Sequence, residues 1–298
     1  MLSKRTQGVL CLVASAFGFA VMGMCVRWAD APDLQTHQPL SPFQKSFFRN
    51  IVAVTVAFAL LCRHGGVATV RTMTRTGWGV LLLRSAVGTL GIFGNFYALS
   101  RIPLGDAMTL NKLSPFFTVL FSWLFIREKI SFRQAFCIVG AFIGAMCVVK
   151  PGFAGAASVP ALCGLFGGVC AGAAYACVRE LGLLNVDSRF VVFFFSLFSS
   201  LASVPFLVFD FQPMTWAQVA ILVGAGLGAA AGQFGVTAAY RLAPPREIAV
   251  WDYTNIIFAA LFGFFMFGQI PDVLSWIGFA LIVAMACFMH GSRPTASQ

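Results

Sequence analysis

Ten apolar stretches dominate this chain, each close in length to a helix that crosses a bilayer: about 6–28, 44–62, 77–99, 103–126, 132–149, 159–180, 189–209, 216–239, 246–267 and 273–290. Such a helix needs about 20 apolar residues to cover the roughly 30 Å hydrocarbon layer. Composition closes off a water-soluble core, because 59% of the 298 residues are hydrophobic and only 10% are charged. Soluble domains carry about a quarter charged residues. Mean hydropathy is +0.86. Runs such as Ile51 to Leu61 and Val191 to Phe195 do not alternate between polar and apolar residues, as barrel strands in lipid would. The spans are therefore expected to be helices, which satisfy their backbone groups internally. The expected fold class is all-α, a polytopic membrane protein.

The first span follows Lys4 and Arg5, as a secretory signal would, but its apolar part runs from Gly8 to Val26. That exceeds the roughly 7–15 residues of a signal core, so it reads as an uncleaved span. The basic residues then set orientation. With the N-terminus in the cytoplasm and ten alternating spans, thirteen Lys and Arg fall inside, three outside (Lys45, Arg101, Lys150) and four within spans. This positive-inside bias puts both termini in the cytoplasm and the chain in the inner (plasma) membrane. It also accounts for the net charge of +10 without a nucleic-acid partner. The nine cysteines lie in or at the ends of spans with no C-x-x-C pair, and read as small packing residues rather than disulfides or metal ligands. No cofactor is expected.

Connections are short, so the helices themselves must carry the function. The stretch Lys150 to Val159 divides the chain into two five-span units, 1–150 and 151–298. Shifting the second unit back by 142 residues lays span 8 on span 3. The stripe Arg84, Gly88, Gly91, Asn95, Ala98 then falls on Gly226, Ala230, Gln233, Thr237, Tyr240, small and polar residues at helical spacing in both. Five spans per unit make the second an inverted copy of the first.

The runs Phe96-Tyr97-Ala98-Leu99-Ser100-Arg101-Ile102-Pro103-Leu104-Gly105-Asp106-Ala107, Leu113-Ser114-Pro115-Phe116-Phe117 and Arg127-Glu128-Lys129-Ile130 resemble the EamA-type drug/metabolite transporters, as do Ala239-Tyr240-Arg241-Leu242-Ala243-Pro244-Pro245 and Asp252-Tyr253. The resemblance covers nearly the whole chain. It implies ten helices with cytoplasmic termini, and transport of a small metabolite. A departure is Gln269, where the second half of the family commonly has Glu.

Several motifs have a packing reading. The run Gly224-Ala-Gly226-Leu-Gly228-Ala-Ala-Ala-Gly232 lacks the preceding strand that a dinucleotide fingerprint needs. Gly228 with Gly232, Gly140 with Gly144, and Gly164, Gly168, Gly172 are small residues four apart, which let helices approach closely in lipid. Pro115 is expected inside span 4, where it removes the bond to the Asn111 carbonyl and kinks the helix. It serves either as a bare kink or as part of a polar cavity wall. Glu128 is either a functional carboxylate, as the resemblance implies, or a solvated loop charge.

Charges deep in spans are the functional candidates. Arg27 and Arg49 lie near outer ends, where they are expected to snorkel to the headgroups. Arg84 and Asp252 stand at similar depth, about seven and six residues from the inner ends of their spans, and are expected to pair. Lys112, near the midplane, is then left without a carboxylate. It either packs its stem and reaches cavity water with its tip, or holds an anionic group of the substrate, with Asn111 and Asn95 completing the contacts. Arg84, Gln233, Asp252 and Tyr253 complete the candidate substrate-binding set, with no catalytic or metal residues. His37, His64 and His290 lie in loops or at a span end, and neither H-E-x-x-H nor G-x-S-x-G occurs. A carrier working by alternating access is thus expected, ahead of a channel or scaffold and of an intramembrane enzyme. Its partners are a small-molecule substrate and the bilayer, as monomer or homodimer.

Overall fold

The computed structural model describes residues 2–29, 31, 34, 40–63, 73–99, 110–149, 159–268 and 272–290. The Arg101–Ala107 run, Gln269, His37 and His64 lie outside them. Every regular element among the described residues is helical. In chain order these are α1 (Lys4–Trp28), α2 (Pro42–Arg63), α3 (Arg75–Leu99), α4 (Ser114–Ile126), α5 (Phe132–Val149), α6 (Val159–Leu183), α7 (Ser188–Phe209) and α8 (Trp216–Leu242). There follow α9 (Pro245–Ile248), a 3-10 segment (Ala249–Tyr253), α10 (Thr254–Phe267) and α11 (Val273–His290). Among the described residues, seven stretches are long and apolar enough to cross a bilayer, Pro245–Met266 counted as one; α4, α5 and α11 are shorter apolar helices.

Local signals place the helix starts. Ser3 accepts from the Thr6 amide ahead of α1, and Asp187 accepts from the Arg189 amide ahead of α7. Thr215 and Gln218 form a reciprocal capping box at α8. At the other end, α4 and α10 both stop on a left-handed residue, Arg127 at φ 60° and Gly268 at φ 61°. The same backbone stop is thus made with a side chain in one place and without one in the other.

Helix α1 packs along α8, and α3 along α6; α2 packs on α7, and α5 on α11. Around these, α4 meets α6, α10 meets α1, α2 meets α8, and α7 meets α3. Exchanging the first five apolar segments for the last five turns each pair into another of the set or into itself. The closest approaches use small residues: a Cβ on Gly18 would stand 2.8 Å from the Gly228 carbonyl oxygen, and one on Gly94 2.6 Å from that of Cys163. Van der Waals contact is what draws helices together in lipid, so these approaches serve cohesion. One apolar cluster joins Leu12, Val178, Leu181, Phe190, Val236 and Ile248. A second joins Val119, Ile138, Ala145, Ile256, Ile282 and Ala286. Phe132, Phe209, Trp216 and Val273 point outward, almost fully exposed.

Two segments are interrupted. Before α4, Leu110 and Asn111 are helical but Lys112 and Leu113 form a turn, with the Leu113 amide on the Leu110 carbonyl at 3.3 Å. Pro115 therefore does not bend the middle of a helix, as its position in the apolar run predicts. It sits in the first turn of α4, where no intrahelical acceptor waits for its missing N–H. The second interruption is the 3-10 segment Ala249–Tyr253, between α9 and α10.

Arg5 donates a hydrogen bond to the Met289 carbonyl. The start of α1 and the end of α11 thus share one face of the bundle.

Candidate functional site: a charged interior and an ion-paired face

The two interruptions bring Lys112 and Asp252 together. Lys112 Nζ lies 3.8 Å from Asp252 Oδ2, and each side chain is only 10% exposed. The separation exceeds a hydrogen bond, so the attraction is Coulombic and the ammonium keeps unspent donors. Tyr253 is fully buried beside Asp252, and its hydroxyl has no hydrogen-bond partner. Asn255 is tied away, donating to the Ala16 carbonyl at 2.8 Å.

This overturns the expected pairing of Arg84 with Asp252. Arg84 instead donates from Nη2 to Gln233 Oε1 at 3.0 Å, with its guanidinium carbon 3.5 Å from the Phe195 ring centroid. Depth counted along unbroken spans put Arg84 and Asp252 level, but span 9 is broken at 249–253 and the carboxylate turns toward the Lys112 turn. The expectation that Lys112 lacks a carboxylate falls for the same reason. No hydrogen bond joins Asn95 or Asn111 to Lys112 among the described residues, and Asn95 Oδ1 is buried without a partner.

Arg49 is the other departure. The reading of a guanidinium snorkelling to the headgroups fails: Arg49 is 5% exposed, because the α2 face that carries it packs on α7, where Asn50 donates to Ser199 Oγ at 2.9 Å. Tyr175, on α6, lies close enough to Arg49, Arg84 and Asp252 to interact electrostatically with all three. The rings of Tyr175 and Tyr240 are 5.6 Å apart. The chain has only four tyrosines, and all fall in or at the end of apolar spans; that was the available signal, since a buried phenol needs a polar neighbour.

The face where α1 begins and α11 ends is built differently. Arg179 donates from Nε to Glu128 Oε1 at 2.9 Å, and both side chains are largely buried. Arg179 Nη1 also approaches the carbonyls of Tyr240 and Arg241 at 3.4 and 3.5 Å. Arg5 lies 3.8 Å from Glu247, and Arg246 donates to the Lys129 carbonyl at 2.7 Å. These contacts tie the ends of α4, α6 and α8 to α9 and α1. Of the two readings of Glu128, the solvated loop charge is set aside.

An all-helical bundle with charged residues inside and no metal-binding cluster among its described residues is matched by known proteins along its length. The model of the EamA-like transporter family matches twice, at residues 6–150 and 159–290. A pseudopaline exporter, CntI, of Pseudomonas aeruginosa (strain UCBPP-PA14) is 34% identical over 288 residues, 96% of this chain and 96% of that protein. Riboflavin transporters of Vibrio cholerae and Brucella anthropi are 27% and 22% identical, covering 95% and 93% of this chain and 92% and 96% of their own lengths. A solved crystal structure, 18% identical, superposes with a TM-score of 0.81 over 95% of this chain and 96% of that one, which shows the fold. The relatives are transporters rather than enzymes, and the repeated match spans the chain from α1 to α11: this is a multi-pass membrane protein of the EamA-like transporter family, within the drug/metabolite transporter superfamily.

Proposed function

We propose that the chain is a secondary-type carrier that moves a small metabolite or amphiphilic organic solute across the inner membrane by alternating access. The observation that carries the reading is the pair of interrupted helices meeting at Lys112 and Asp252. Broken helices facing one another inside the bundle are how carriers place unsatisfied backbone and charge around a solute.

Ten crossings and inverted five-helix halves, 1–150 and 151–298, are supported by three observations. The ends share a face, the main helix pairs are preserved when the halves are exchanged, although α6 also meets α8 without a comparable α1–α3 contact among the described residues, and the family model matches each half. Seven crossings alone would leave the ends on opposite sides. With the termini cytoplasmic, the Glu128–Arg179 cluster is a cytoplasmic closure, and Arg84, Asn95, Asn111, Lys112, Gln233, Asp252 and Tyr253 line the solute's path. The 34% identity to a pseudopaline exporter favours export of a comparable metabolite.

The test is counterflow in proteoliposomes, with pseudopaline as the first solute and riboflavin as the second. Vesicles preloaded with unlabelled solute should transiently accumulate labelled solute from outside, with a saturable rate. Flux linear in concentration, without counterflow, would identify a channel and overturn the carrier.

A further inference from the structure

Among the described residues, the interior holds more positive charge than its carboxylates neutralise. Arg49 and Arg84 are both buried, and no ion pair joins either of them to a carboxylate among the described residues. Asp252, which lies near Tyr175, is already against Lys112. Counted over the described residues, Arg49, Arg84 and Lys112 against Asp252 leave an excess of two positive charges. A guanidinium does not give up its proton to escape burial, so the charge stands. Burial of unpaired charge is among the costliest arrangements a protein can keep.

Arg84 is also held in place, and donors of both guanidiniums are left without a hydrogen-bond partner. The guanidinium of Arg84 is fixed by Gln233 at one nitrogen and by the Phe195 face. It occupies a slot that exists because residue 88 is glycine: a Cβ there would meet Arg84 Nη1 at 2.9 Å and Phe195 Cε2 at 3.0 Å. Its Nε and Nη1, and the Nε of Arg49, are buried and make no hydrogen bond. On α3, which carries Arg84, the hydroxyls of Ser85 and Thr89, and on α7, which carries Phe195, those of Ser196 and Ser200, are likewise buried and unpartnered. Tyr175 beside them is only partly buried.

We propose that Arg49 and Arg84 form an oxyanion subsite in the interior of the carrier, taking a carboxylate or phosphate group of the solute. The inference rests on the carrier reading and names the solute's chemistry: an organic anion, with two negative charges fitting better than one. Two guanidiniums supply charge-assisted donors in a fixed geometry, for which carboxylates and phosphates are the matching acceptors. The aromatic rings of Phe195, Tyr175 and Tyr240 border the subsite and suit an apolar body attached to that anion.

The experiment measures the unfolding temperature of the full chain in phosphatidylcholine nanodiscs with three probes sharing a phenyl group. Phenyl phosphate is close to a dianion above neutral pH, phenylacetate is a monoanion, and phenylacetamide is uncharged. Ionic strength is held constant. Saturable stabilisation in the order phosphate, carboxylate, amide is expected, with Arg49→Gln raising the half-saturating concentration by about tenfold or more. Arg49→Lys, which keeps the charge, should retain part of the response. If Arg84→Gln does not fold, the Arg49 pair of variants decides alone. The subsite is overturned if neither anion stabilises the protein, if the amide does as well, or if Arg49→Gln responds like the parent chain. It is overturned too if phosphatidylglycerol in the disc abolishes the response to both probes, since a lipid headgroup is then the occupant. A chain that shows counterflow without an anion response keeps the carrier reading and loses the subsite; the reverse keeps the subsite and loses the carrier.

Discussion

Charge is handled differently at the terminal face, where one ion pair closes to hydrogen-bonding distance beside a looser Arg5–Glu247 pair at 3.8 Å, and in the interior, where among the described residues none does. At the face, Arg179 and Glu128 meet at 2.9 Å, and Arg246 and Arg5 reach carbonyls on neighbouring segments. In the interior Lys112 and Asp252 stop at 3.8 Å, and two guanidiniums keep idle donors. In the proposed carrier, close contacts between segments that end at one face hold that face shut, and a loose pair with spare donors accepts the solute. On that proposal the difference separates a closure from a binding place.

The largest effect should come from cutting the interior pair. Asp252→Ala leaves a buried ammonium alone and should cost about 3–5 kcal/mol. Replacing both partners, Lys112→Met with Asp252→Leu, should recover most of the unfolding temperature while counterflow stays abolished. A silent single replacement would show that the two groups are solvated and that the contrast is empty.

Next comes the closure. Glu128→Gln weakens a charge-assisted bond worth about 1.5–3 kcal/mol, enough to shift an open–closed equilibrium roughly ten- to hundredfold. Hydrogen exchange over residues 176–183 and 241–248 should then speed up while phenyl phosphate binding is retained. Exchange that stays at parent levels would remove the closure role.

Gly88→Ala sharpens the interior half of the comparison. The added methyl overlaps both the Arg84 guanidinium and the Phe195 ring, an overpacking cost of about 1–3 kcal/mol. The anion response should fall with it, and a variant that keeps the full response would show that the slot does not set the guanidinium's position.

The smallest effect is at the end of α4. Arg127 takes the left-handed conformation that glycine takes at the end of α10. Arg127→Gly should therefore stabilise the chain by at most about 1 kcal/mol, with transport unchanged. A drop in stability would mean that the Arg127 side chain contributes more at the face than its backbone strain costs.

The helical spans were legible because lipid demands long apolar runs, and the apolar stretches match the helices to within a few residues at most ends. Lys112, Asp252, Arg84 and Gln233 were legible as polar groups in such runs. Their partners were not. Pairing depends on where a helix breaks, and the turn at Lys112 follows from tertiary fit around a first-turn proline rather than from the proline's bare presence. Arg49 was misread for a related reason: its place near a span end says how deep it lies, while burial depends on which face α2 turns to α7. Arg179 gave no signal, because a basic residue at an inner helix end already satisfies the positive-inside pattern.

The packing of α1 has a consequence for how the chain is made. Its long contact is with α8, where Ser15 Oγ donates to the Gly232 carbonyl at 2.6 Å, and its flank meets α10 and the Met289 carbonyl. Synthesis runs from the N-terminus, so α1 enters the bilayer more than two hundred residues before its main neighbour exists. Until then its seam, with Gly18 at the point of closest approach, faces lipid or a surrogate helix. The same delay does not apply to α6, whose partner α3 is already in place. Assembly is therefore staggered: one seam closes as the second half begins to emerge, and the other stays open until the chain is nearly complete.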